Sequence, residues 1–254
     1  IVPRIPEIDF IRVIFVYFDL KYKYRKVTEW LSSWVAKFFF YIYENKAQSH
    51  GDSGTQQLKK MNFLAHIYLS GDNDLLKIGN FMADSIRGHQ YEAYPTEIRK
   101  GILLHRSIDS FTDMHPIYRQ SKHRLHEKYG HYSGVIMDIF YDHFLAKNWN
   151  FYSDEKLEDY ADNFYTLLKN NYDVLTERTK GMIPYMIGRN WLVSYASIEG
   201  LEMILFQMDH RTKNRVAMHE SIIELQQFYT EFETEFQLFF EELQEHCRKK
   251  LAEI

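Results

Sequence analysis

The chain has 254 residues, 45% of them hydrophobic, which is enough apolar material for one large buried core or two small ones. A formal net charge of −4 excludes a general nucleic-acid binder, which would carry a strong basic excess. The single cysteine, Cys247, excludes an intrachain disulfide and a thiolate-built zinc site and so points to a reducing, cytoplasmic setting; no run of eighteen apolar residues offers a membrane span.

Residues 1–60 differ from the rest. They carry ten Lys/Arg against six Asp/Glu, whereas residues 61–254 carry twenty-one against twenty-nine, and no methionine precedes Met61. Aromatics crowd "FIRVIFVYFDLKYKYR" and "WVAKFFFYIY", and "NKAQSHGDSGTQQLKK" reads as a polar linker. This N-terminal extension is either a small appended segment, a strand followed by an amphipathic helix at 28–43, or a stretch upstream of the natural start that has no evolved fold. The second reading is preferred, because Met61 opens the recognisable domain. Glu29 and Lys37 interrupt the aromatic stretch, which argues against attachment to a membrane surface.

From Met61 onward the apolar spacing is helical, with Pro95, Pro116 and Pro184 near expected helix boundaries. "LEDYADNFYTLLKNNYDVL" and "SIIELQQFYTEFETEFQLFFEELQEHCRKKL" repeat apolar residues every three or four positions. No alternating pair with a tight turn appears, so the domain at 61–254 is expected to be all-α.

Potential metal ligands gather on these helices. In "GILLHRSIDSFTDMHP", His105, Asp109 and Asp113 are spaced four and four and project from one face, with His115 next to the proline stop. In "GVIMDIFYDHFLAKNW", Asp138 and Asp142 repeat that spacing inside an apolar helix, followed by His143. Buried carboxylates of this kind are costly unless paired or metal-bound. Asp84 lies in the apolar stretch "IGNFMADSIRG", downstream of His66, which read alone is a hydrogen-bonded core histidine. Carboxylate oxygens and imidazole nitrogens without thiolates suit Mn²⁺, Mg²⁺, Fe²⁺ or Zn²⁺. The competing reading is an ion-pair network in which Arg87 or Arg106 neutralises the acids. Farther on, "HPIYRQSKHRLHEKYGH" sets Arg119, Lys122, Arg124 and Lys128 against Glu127 alone, a local reversal of sign that either docks an acidic partner or is a solvated basic turn.

In order and spacing, "MNFLAHIYLS", "GNFMADSIRG", "GILLHRSIDSFTDMHP", "DIFYDHFLAKNW" and "NWLVSYASIEGL" resemble the acyl carrier protein phosphodiesterases, also called acyl carrier protein hydrolases, from Met61 to about Leu251. That resemblance implies an HD-like helical bundle. It also implies a divalent metal, Mn²⁺ first with Mg²⁺ or Fe²⁺ as alternatives, and release of 4′-phosphopantetheine from holo acyl carrier protein. It makes His105, Asp109 and Asp113 the central cluster, and points to Asp84, His105, Asp109 and Asp142 as catalytic and to Asp84, His105, Asp109, Asp138, Asp142 and His143 as the metal set. Arg87 and Arg106 would hold the phosphate, while Arg119, Lys122, Arg124 and Lys128 would meet the acidic carrier. Asp142 and His143 stand in reversed order relative to the HD pattern, so ligand roles do not transfer directly. The rival readings are an HD-like hydrolase of another phosphate ester, such as a nucleotide, and a helical protein that binds carrier protein without catalysis.

Overall fold

A computed structural model of the chain describes residues 62–254 apart from Lys213. The expected extension at 1–60 lies outside the described residues. Among those described, every regular element is helical and no strand occurs, as the periodicity predicts. None of these helices is long and apolar enough to cross a membrane.

The helices are α1 (Phe63–Tyr68), α2 (Asp74–Met82), α3 (Thr96–Met114), α4 (Pro116–Tyr129), α5 (Ser133–Lys147), α6 (Leu157–Asn170), α7 (Glu177–Gly188), α8 (Trp191–Ser194), α9 (Ile198–Arg211), α10 (Ile222–Gln227) and α11 (Tyr229–Glu253). Local chemistry sets several of their boundaries. Asn73 caps α2 by accepting from the Leu76 N–H at 3.1 Å. His115 is extended because it precedes Pro116, so α3 stops there and α4 starts with proline at its first position. Pro184 departs from expectation: it lies inside α7 rather than at its end. Its ring is on the exposed face, where water can serve the carbonyl that loses an intrahelical donor.

The middle of the bundle is α5, buried at every position from 135 to 146, as expected for a helix apolar on all sides. Against it pack α1, α4 and the long α11, whose Phe232, Phe236, Phe239, Phe240 and Leu243 form one buried stripe. Helices α2 and α3 pack closely, because glycines face each other. A Cβ on Gly79 would lie 2.1 Å from the Ile98 carbonyl oxygen, and one on Gly101 would lie 2.2 Å from that of Leu76. Only hydrogen fits at either position, and this contact brings the end of α2 within reach of α3 side chains.

Candidate metal centre

His66 comes from α1, His105 and Asp109 from successive turns of α3, and Asp84 from the 3₁₀ turn Ala83–Ser85 that follows α2. One ligand atom from each of His66, His105 and Asp109 lies within 4.8 Å of the others. The Asp109 carboxylate faces both rings, with Oδ1 3.7 Å from His66 Nε2 and Oδ2 3.4 Å from His105 Nε2. Asp84 Oδ1 stands 3.7 Å from the same His105 nitrogen. The imidazoles stack at 4.2 Å between centroids, and both are buried, whereas the Asp84 and Asp109 side chains are 23% and 26% exposed. The group therefore opens to solvent on its carboxylate side.

Asn80 sits behind the rings, fully buried. Its Oδ1 is 2.7 Å from His66 Nδ1 and 3.2 Å from His105 Nδ1, while its Nδ2 donates to the His66 carbonyl and to Ser70 Oγ, both at 2.9 Å. Neither His66 Nε2 nor His105 Nε2 has a hydrogen-bond partner, although both are buried. Such nitrogens call for a ligand or a proton. Burial disfavours the His105 imidazolium, but the Asp109 and Asp84 carboxylates 3.4 and 3.7 Å from its Nε2 outweigh it and carry its pKa up to about 9. Burial and the neighbouring His105 push His66 down. Burial would raise Asp109, yet the two histidines hold its carboxyl well below the ordinary carboxylate range. Two imidazole nitrogens and a carboxylate, with a second carboxylate alongside, make a donor set that can hold a divalent metal ion.

Three of the expected site residues are thus brought together, Asp84, His105 and Asp109, and His66 joins them. The other expected ligands are occupied elsewhere. Asp142, expected as ligand and catalyst, is fully buried and accepts the Leu64 N–H on Oδ2 at 3.0 Å and the Ala65 N–H on Oδ1 at 2.9 Å. It caps the six-residue helix that carries His66. Burial pushes the Asp142 carboxyl up, and these two backbone donors pull against that shift. Asp138 accepts the Tyr118 hydroxyl at 2.6 Å. His143 is 2.8 Å from the Tyr195 carbonyl on one ring nitrogen and 2.8 Å from the Tyr229 hydroxyl on the other, which leaves it no lone pair for a metal.

The cations also divide. Arg106 donates to the Ile86 and Gly88 carbonyls at 3.2 and 2.8 Å through one nitrogen and lies over the Tyr91 ring, so it secures the segment after Asp84. Arg87 on that segment is exposed. In the basic stretch, Arg124 forks onto buried Glu235 with two 2.6 Å bonds, and Lys128 meets Glu224 at 3.2 Å and Glu220 at 3.4 Å. Both are thus ion-paired within the chain, Arg124 largely buried and Lys128 still exposed. Arg119 remains exposed and Lys122 lies over the Tyr118 ring.

The residue that sequence reasoning missed is Asn80. Its signal was a lone carboxamide among Ile78, Gly79, Phe81 and Met82, all buried, where a polar group needs internal partners.

The family model described as acyl carrier protein phosphodiesterase matches residues 61–243. The acyl carrier protein phosphodiesterase of Pectobacterium atrosepticum is 32% identical over 181 residues, covering 71% of this chain and 94% of that protein. Those of Photorhabdus laumondii and an Escherichia coli strain are 29% and 28% identical, over 75% of this chain and 96% and 99% of their own. No solved structure matches. The match spans every residue of the candidate centre, and the chain belongs to the acyl carrier protein phosphodiesterase family.

Proposed function

We propose that the chain is a metal-dependent phosphodiesterase that hydrolyses holo acyl carrier protein to the apo form and 4′-phosphopantetheine. The observation that carries the metal part of this reading is the convergence of His66, His105 and Asp109, with two buried Nε2 atoms facing one carboxylate. Mn²⁺ suits the mixed nitrogen and oxygen donors, with Fe²⁺ or Mg²⁺ as the alternatives. When bound, such an ion neutralises phosphodiester charge and makes water a nucleophile at neutral pH.

The chain's own groups do the rest. His66, His105 and Asp109 hold the ion. Asp84, beside them and partly exposed, orients the attacking water and takes its proton. Water adds at phosphorus, the bond to the carrier's serine oxygen breaks, and that oxygen leaves as a hydroxyl with the proton that Asp84 took from the water. Arg87 contacts the phosphate from the exposed segment next to Asp84, while Arg106 holds that segment by its carbonyls. Arg119 and Lys122 draw the acidic carrier toward the protein. A cytoplasmic setting follows from that substrate.

Incubation with holo acyl carrier protein and Mn²⁺ should convert the carrier to a species lighter by one phosphopantetheine, and chelation should stop the conversion. An untouched carrier with a cleaved nucleotide or simple phosphodiester would overturn the substrate assignment.

A further inference from the structure

We infer that Asn80 is the positioning residue of the metal group, holding both histidines with Nδ1 protonated so that Nε2 of each ring is turned toward the carboxylates and kept for a metal ion. This inference rests on reading the group as a metal centre.

The backbone oxygen of His66 can only accept, and Asn80 Nδ2 lies 2.9 Å from it. Ser70 Oγ donates to that same carbonyl at 2.8 Å and so meets the second Nδ2 hydrogen with its lone pair. The opposite orientation of the amide would set Oδ1 against the His66 carbonyl oxygen, lone pair against lone pair, in a site without solvent. The amide is therefore locked with Oδ1 toward the rings. An oxygen acceptor at 2.7 and 3.2 Å requires an N–H from each imidazole, so each ring presents Nδ1–H to Asn80 and turns Nε2 the other way. The main chain of His66 thus fixes the tautomer of its own ring and that of His105 through one side chain.

That side chain also ties three helices, since His66 is on α1, Asn80 on α2 and His105 on α3. A short carboxamide spans the gap because Gly79 and Gly101 bring α2 and α3 together. A purely structural asparagine would need its bonds but would be indifferent to which ring nitrogen carries hydrogen, and that difference makes the role testable.

Long-range ¹H–¹⁵N correlation spectra of the metal-free wild-type protein should show the neutral His66 ring protonated on Nδ1 and bare on Nε2. The Nε2–H form there would overturn the inference whatever any variant does. Asn80→Ala should release His66 toward the Nε2–H form and weaken Mn²⁺ binding, measured by competition titration, by about 10- to 100-fold. Wild-type Mn²⁺ affinity in folded Asn80→Ala would equally overturn it. If the wild-type spectrum is as expected but the protein takes up no Mn²⁺, the tautomer assignment stands and the metal reading of the proposed function fails.

Discussion

Replacing Asp142 by Asn separates a helix cap from a metal ligand. The carboxylate accepts two backbone N–H groups at the start of α1, and both oxygens are buried. Asparagine keeps one acceptor and turns an NH₂ toward the other N–H, so a buried donor is left unmet, at about 1–3 kcal/mol. For a domain of this size that loss lowers the melting temperature by roughly 2–12 °C. The assay is thermal unfolding followed by circular dichroism in chelator, then repeated with excess Mn²⁺. Asp142→Asn should melt well below wild type in chelator and still gain stability from Mn²⁺, because His66, His105 and Asp109 remain. Asp109→Asn should lose the Mn²⁺-induced gain. A wild-type melting temperature in chelator, together with loss of the Mn²⁺ response in Asp142→Asn, would refute the cap and restore the ligand.

Because Asp109 and Asp84 carry His105 up to about 9, a metal ion must displace its proton, and Mn²⁺ affinity should fall about tenfold for each pH unit between pH 9 and 7; a flat profile in direct binding titrations would contradict this. The same raised pKa stabilises the metal-free protein fully below about pH 6.5, the unfolded value, and that contribution should fade as pH rises through about 9, which urea titrations in chelator would detect. Gly101→Ala puts a methyl group 2.2 Å from the Leu76 oxygen and should cost about 1–3 kcal/mol or more in urea unfolding while lowering carrier turnover, because α2 and α3 must separate. Arg124→Ala leaves Glu235 buried without its guanidinium and should cost about 3 kcal/mol, whereas charge reversal at Arg119 and Lys122 should leave the melt unchanged and slow carrier turnover most at low salt.

The all-α fold was legible because apolar residues recur at helical spacing from Met61 onward, and the stop at Pro116 was legible because proline and its predecessor resist helix continuation. Half of the site was legible for the same reason: His105 and Asp109 are four apart on one helix, so they had to share a face. Asp138 and Asp142 share that spacing, and spacing could not tell which pair meets another ligand and which meets a hydroxyl or a helix end. That depends on long-range packing, since the Leu64 and Ala65 N–H groups are more than seventy positions from Asp142. Likewise, Arg124 and Lys128 looked like free cations because Glu235, Glu224 and Glu220 lie about a hundred residues away. His66 read as a core histidine, and it is buried and hydrogen-bonded as such, but its second nitrogen faces Asp109.

The most direct measurement is pulsed electron paramagnetic resonance on the Mn²⁺-loaded protein, in which a ligated imidazole nitrogen modulates the electron-spin echo. Wild type should show two coupled imidazole nitrogens, with one lost in His66→Ala and the other in His105→Ala, and neither variant should convert holo acyl carrier protein to the apo form. A wild-type spectrum without imidazole coupling, or conversion by His66→Ala at the wild-type rate, would contradict a centre built on His66, His105 and Asp109.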